Sequence, residues 1–398
     1  MNITDLKQEQ KIIPILRLGF RPFFLLGSLF SLLAMSIWLL LLIGNKSLAP
    51  LNGSFWWHSH EMLFGFVPAI VAGFLLTAVQ TWTGITAIKG VKLLFLCVLW
   101  LTARVLLITN PDISLSIIMA VDLSFLPLTA LLLGLPLIKI SQYRNMIFIP
   151  VLVFMTIANA LTFLPQYGFD IALSQQGLHG MVLMVTFLVA FLGGRVIPMF
   201  TANGTGTGKV APLKWLEIIA LSSLLVLFAL LITGTTNNTN LVGVLCFSSS
   251  ALHLFRQLRW RPWLTLNLPL VWSLHFSMLF IPIGLLLMGW HFTFGTISFS
   301  TALHSLTVGV FGGMILAMTS RVSLGHTGRM LQVGWIMHFA FIAIILCALT
   351  RSLLVAIWPQ YSIQMWVMSG VLWCLTFTCF LVVYIPILST PRVDGRPG

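Results

Sequence analysis

The run from Leu178 to Met199 reads LHGMVLMVTFLVAFLGGRVIPM. It is 22 residues long, and its only ionisable side chains are His179 and Arg195. As an α-helix it rises about 1.5 Å per residue, enough to cross the roughly 30 Å hydrocarbon layer of a bilayer. A helix on the surface of a soluble protein keeps a polar face, and this stretch has none. It is read as a membrane span.

The rest of the chain reads the same way. Of 398 residues, 59% are hydrophobic and 7% charged, where a soluble domain carries about 25% charged. The mean hydropathy is +1.03. These values exclude a soluble enzyme, a disordered chain, a coiled coil and a disulfide scaffold. Apolar runs between polar or Gly/Pro breaks give twelve candidate spans, at 22–44, 57–80, 91–109, 113–138, 145–164, 178–199, 213–233, 239–256, 267–290, 299–320, 332–350 and 363–387. The first is too long for a cleavable signal peptide, and no small-residue cleavage site follows it before Asn45-Lys46. The expected fold is an all-α polytopic membrane protein, a single transmembrane domain over 1–398 with no soluble domain.

The net charge of +13 comes from 21 Lys and Arg against 8 Asp and Glu. Seventeen of the basic residues fall at alternate ends of the spans: the N-terminal segment, the loops after spans 2, 4, 6, 8 and 10, and the C-terminus. The opposite side holds only Lys46 and Arg351, and Arg104 and Arg195 lie within spans. Such asymmetry places the basic side in the cytoplasm, so both termini are expected to be cytoplasmic. The positive charge then reports orientation and anionic lipid, with no reason to invoke nucleic acid. The five cysteines all lie in apolar runs, and neither CxxC nor CxxCH occurs. No disulfide, zinc ribbon or covalently attached haem is expected.

A repeat is visible in the spans. Leu178-His179 and Arg195-Val196 in span 6 match Leu303-His304 and Arg321-Val322 in span 10, at His-to-Arg spacings of 16 and 17. Gly193-Gly194 and Gly312-Gly313 accompany them, and span 2 opens with His58-Ser59-His60. The His-bearing spans are 2, 6 and 10, which suggests three groups of four helices. By the expected orientation, His58, His60, His179 and His304 share the outer third to half of the membrane.

Ionisable groups inside a bilayer are functional candidates. On a helix turning about 100° per residue, His58 and His60 point about 160° apart, which suits two separate sites rather than one small metal. Neutral imidazole ligates iron and copper well; the alternative is a pair of interfacial histidines. Glu61 falls nearly on the face of His58, where it is either a proton-carrying acid or a helix-start residue favoured by the dipole. His179 and His304 are either ligands or hydrogen-bonded core residues, and His275 is a ligand or proton-relay candidate. His253 and His338 read as structural, and His291 as a solvated loop residue. Arg104 either pairs with a haem propionate or snorkels to the interface. Asp122 is either a proton relay or a partner for Arg or His. The segment Thr319 to Arg329, with Arg321 and His326, either binds an anion, closes a proton entry or caps span 10. Asn203 to Lys209 evokes a phosphate loop but lacks its first Gly and its Ser/Thr, and is read as a flexible loop.

Arg21-Pro22-Phe23-Phe24, Trp57-His58-Ser59-His60-Glu61-Met62, Gly65-Phe66, Gly73-Phe74-Leu75-Leu76-Thr77-Ala78 and Trp82-Thr83-Gly84 together resemble the opening of the NnrS family. Gly193-Gly194-Arg195-Val196-Ile197-Pro198 and Thr319 to Arg329 resemble its later motifs, and the likeness runs over about 15–390. The resemblance implies a bacterial inner-membrane protein that contains haem and copper and is linked to nitric oxide metabolism and nitrosative stress. A looser resemblance is to the haem–copper oxidase and nitric oxide reductase superfamily, although no His-His or His-x-x-x-His-Tyr copper motif is present.

The first expectation is therefore a protein holding non-covalent b-type haem, as two haems between span 2 and spans 6 and 10, with copper as a further cofactor. His58, His60, His179 and His304 serve as axial ligands and Glu61 as the acid for nitric oxide reduction, with a quinol or other electron donor. The rivals are a copper or proton-coupled transporter and a nitric oxide sensor without turnover.

Overall fold

The computed structural model describes residues 9–44 and 48–396. Lys7, Lys46 and Asn45, used above in reading the charge pattern and the end of span 1, lie outside the described residues. Twelve helices are long and apolar enough to cross a membrane, and no strand occurs among the described residues. They are α1 (Phe20–Leu42), α2 (Ser54–Thr83), α3 (Val91–Thr109), α4 (Leu115–Lys139), α5 (Tyr143–Tyr167), α6 (Ala172–Thr205), α7 (Lys214–Ile232), α8 (Thr239–Leu258), α9 (Pro269–Phe294), α10 (Phe299–His326), α11 (Trp335–Ile357) and α12 (Pro359–Ser389). Each corresponds to one expected span. Several run further than their apolar stretch. α6 continues to Thr205, so the stretch read as a loop from Asn203 begins in a helix, and α10 continues through the polar Arg321–His326.

Contacts divide the chain into two compact units. The first comprises 1–178, 321–331 and 380–398. In it α1 packs closely on the second half of α2, because small residues let the backbones approach. A Cβ added to Gly73 would lie 2.8 Å from Phe23 Cβ. Thr77 Oγ1 accepts from Phe20 N–H at 2.8 Å. The start of α1 meets the end of α12, where Arg21 Nη1 donates to Leu388 O (2.9 Å) and Thr390 O (2.7 Å). The start of α1 and the end of α12 thus share one end of this unit. Although Arg21 was counted as an interfacial charge, it is fully enclosed.

The second unit comprises 179–320 and 332–379. α8 and α9 form its most extensive packing. They cross glycine on glycine: a Cβ on Gly289 would meet Gly243 O at 3.1 Å.

Three helices switch to π geometry for part of their length, at Glu61–Phe66 in α2, Ser305–Gly312 in α10 and Thr350–Leu354 in α11. The first two begin at the residue after His60 and His304. π-bulges recur at functional sites, and α2 and α10 are also the most enclosed helices of the twelve.

Candidate functional site

The first unit encloses a connected set of polar side chains, ionisable ones from α2, α3 and α4 and the amide Asn159 from α5. Glu61 and His60 are 0% exposed, and Arg104 and Asp122 are 3%. Arg104 Nη1 donates to Glu61 Oε1 at 2.5 Å, and Arg104 Nη2 donates to Asp122 Oδ1. His60 Nδ1 lies 3.0 Å from Glu61 Oε1. His60 Nε2 lies 2.9 Å from Asn159 Oδ1 and 3.4 Å from Asp122 Oδ2. Asn159 Nδ2 donates to Asp122 Oδ2 at 2.7 Å.

This geometry settles where the protons go. Because the Asn159 amide nitrogen is spent on a carboxylate, its oxygen must face His60, and His60 Nε2 must donate. His60 Nδ1 faces a second carboxylate oxygen. Both contacts are hydrogen bonds only if one proton is shared between His60 Nδ1 and Glu61, beyond the proton on Nε2. With that proton the four charged groups sum to zero; without it the set carries one uncompensated negative charge in an apolar interior.

The surroundings hold the set in place. Trp56 stacks on the His60 ring at 4.5 Å, and Phe163 meets it edge-on at 5.3 Å. Arg104 lies along Gly65, where an added Cβ would come 2.7 Å from Nη1. Trp100 Nε1 donates to Gly65 O at 2.9 Å. Glu61 Oε2 is enclosed and makes no hydrogen bond among the described residues.

The expected site residues fall as follows. His58 leaves α2 towards α1 and stacks on Trp38 at 4.4 Å, so the two histidines go to different neighbours. Glu61 joins His60 rather than His58: its Oε1 lies 3.0 Å from His60 Nδ1 and accepts from Arg104 Nη1, at the point where the helix passes into π geometry. Arg104 does not snorkel; both its amino groups are committed to Glu61 and Asp122. Asp122 is a partner of both Arg104 and Asn159. Both nitrogens of His60 are engaged, so this arrangement leaves it no lone pair for a metal.

In the second unit, His179 packs edge-on against Phe299 at 4.8 Å, and His291 contacts the same ring at 5.2 Å. His291, expected as a solvated loop residue, instead belongs to the last turn of α9 and its Nδ1 donates to Ile297 O at 2.8 Å. His304 Nδ1 donates to Ser300 O at 2.6 Å. A carbonyl can only accept, so this bond fixes the tautomer that carries its lone pair on Nε2. Metal-bound imidazoles are oriented in this way by the bond their other nitrogen makes. His275 Nε2 meets Thr201 Oγ1 at 2.8 Å. His253 donates from Nε2 to Ala220 O, a structural contact. Arg195 lies over Phe191 at 4.0 Å. In the first unit, Arg321 is half-buried near the end of α10. His326 packs by Phe20 at 5.5 Å, and its carbonyl accepts from Arg392. The C-terminal segment thereby closes over the end of α10, with Val393 N–H bonded to Thr327 O. Among the described residues, no three His, Cys, Asp or Glu side chains converge as a metal site.

Asn159 was missed because an amide inside an apolar run carries no charge to draw notice. The ion pair between Arg256 and Glu217 (Nη2–Oε2 2.6 Å) was missed as well, because both residues sit near span ends and read as loop charges.

Comparison with protein families gives a match to NnrS protein over residues 14–392. No curated protein matches the chain.

Proposed function

The chain belongs to the NnrS family, and on that premise we propose that it is a haem-binding protein of the bacterial inner membrane that binds or reduces nitric oxide. The observation that carries the haem reading is the His304 imidazole, whose Nδ1–H is fixed on Ser300 O so that Nε2 presents the lone pair. His179 in the same unit and His58, on the face of α2 away from the ionic set, are the other imidazoles proposed as ligands. Bound haem supplies the redox-active iron at which nitric oxide binds. No copper ligands are proposed.

Reduction of two nitric oxide molecules to nitrous oxide and water takes two electrons and two protons. The electrons require a donor such as a quinol. The protons require polar groups inside the membrane, and the Glu61–His60–Asn159–Asp122–Arg104 set supplies a shared one. The same set would serve a proton-coupled transporter, which is the second reading.

Absorption spectra of the purified protein test the first. A Soret band is expected in the wild type, lost in His304→Ala and kept in His60→Ala. Absence of the band from the wild type sinks the haem reading. Nitric oxide consumption with a quinol separates turnover from binding alone.

A further inference from the structure

The second unit contains one acid in its whole sequence, Glu217. Arg256 holds it with two bonds, from Nε at 2.8 Å and Nη2 at 2.6 Å. Arg351 therefore has no carboxylate of its own unit. It is the second residue of the π-segment Thr350–Leu354 in α11, and its guanidinium lies 4.8 Å from the centre of the Trp366 ring, near the start of α12. Arg351 Nη1 and Trp366 Nε1 are both enclosed, and neither has a hydrogen-bond partner among the described residues. An enclosed guanidinium N–H and an enclosed indole N–H without an acceptor are costly to maintain. Thr350 and Ser352, on either side of Arg351, are buried as well.

The short helical segment Phe299–His304 packs against this π-segment. The imidazole proposed as an iron ligand and Arg351 are thus carried on abutting elements, and Trp366 meets Arg351 from α12. Arg351 also lies less than two turns from the end of α11, a depth suited to the polar edge of an amphipathic cofactor.

We propose that Arg351 and Trp366 bind the carboxylate of the bound cofactor, a haem propionate, through charge-assisted hydrogen bonds. The proposal rests on the haem reading above. The shared chemistry is an anionic oxygen, which a lipid phosphate also offers, so the test separates the two.

Wild type, Arg351→Gln, Arg351→Lys and Trp366→Phe are purified in detergent and loaded with haem. Loss of haem to an excess of apoglobin is then followed in the Soret region. Arg351→Gln is expected to release haem about tenfold faster or more, and Arg351→Lys to fall between it and the wild type. Trp366→Phe is expected to release haem faster than the wild type. Wild type loaded with haem dimethyl ester, whose carboxylates are uncharged, should release it at the Arg351→Gln rate. That arm needs no variant to fold. Equal release of haem and its diester by the wild type overturns the propionate assignment and leaves the haem reading standing. A wild type that takes up no haem overturns both. Loss of phospholipid from Arg351→Gln in native mass spectra, with haem release unchanged, gives the site to lipid and overturns the assignment.

Discussion

Asn159 is oriented by Asp122: the amide nitrogen donates to Oδ2 at 2.7 Å, which turns the amide oxygen onto His60 Nε2 at 2.9 Å. A neutral side chain thereby decides the protonation of an ionisable one. Replacing Asn159 with Leu removes a donor from Asp122 and an acceptor from His60 at once. The expected cost is about 1–3 kcal/mol per group left unsatisfied, read as a lower melting temperature in detergent. Asn159→Asp adds a third carboxylate to a set with two cations, Arg104 and the protonated His60, and is expected to be worse at neutral pH.

Removing Arg104 leaves Glu61 and Asp122 with only the His60 imidazolium to offset them. Arg104→Met is expected to destabilise by about 3–5 kcal/mol, and Glu61→Gln alone by less, since Asp122 still holds the guanidinium. Combining the two changes should recover part of the loss. A double-mutant cycle with an interaction energy under about 0.5 kcal/mol would falsify the network as a coupled unit.

Gly65 allows the Arg104 side chain to lie against the π-segment. In Gly65→Ala the new Cβ meets Arg104 Nη1 at 2.7 Å and Phe30 at 2.9 Å. Overpacking of this kind costs about 1–3 kcal/mol. Because it displaces the guanidinium from Glu61, Gly65→Ala should lose nitric oxide consumption more than haem content; the reverse order would separate Gly65 from the ionic set.

The C-terminal segment is fastened by Arg392, which donates to Asp394 Oδ2 at 2.6 Å and to His326 O at 2.9 Å. The hydrogen bond from Arg392 holds the Asp394 carboxyl well below the usual carboxylate range. A carboxyl depressed by folding contributes above its ordinary range, near pH 4, and loses that contribution as the pH falls below it. Hydrogen exchange at Val393, whose N–H bonds Thr327 O, should therefore be steady from pH 8 to 5 once corrected for intrinsic rates. It should rise in stronger acid, and in Asp394→Asn at every pH.

The twelve spans were legible because length and apolarity are summed over about 20 residues, which averages out local errors. Their ends were less so. Arg321–His326 continues α10 although Arg321, Ser323 and His326 are polar, because the C-terminal segment, with Arg392 on the His326 carbonyl, satisfies its end. In the site, Glu61 and Asp122 stood out as charges in apolar runs, but their partners could not be read from spacing. Arg104 meets them from another helix, and the side chain of Glu61 turns to its neighbour His60, a contact that facial spacing does not report. Arg351 was taken for a loop charge marking the outer side, whereas it lies within α11. The one sequence signal for its isolation was the absence of any acid other than Glu217 across the second unit.

Each π-segment holds one residue more per turn than the α-helix around it. For α2 this means that a one-codon deletion between Glu61 and Phe66 keeps the span apolar and long enough to cross, yet returns the helix to α register. Six residues of π geometry turn through about as much as five of α, so the half carrying His58 and His60 keeps its rotation relative to Val67–Thr83, and the side chains re-aimed are those of the segment itself, Glu61 and Gly65 among them. The extra residue is thus a local device: it confines the change of backbone geometry to the few residues of α2 that meet Arg104 and leaves the course of the span on either side unaltered.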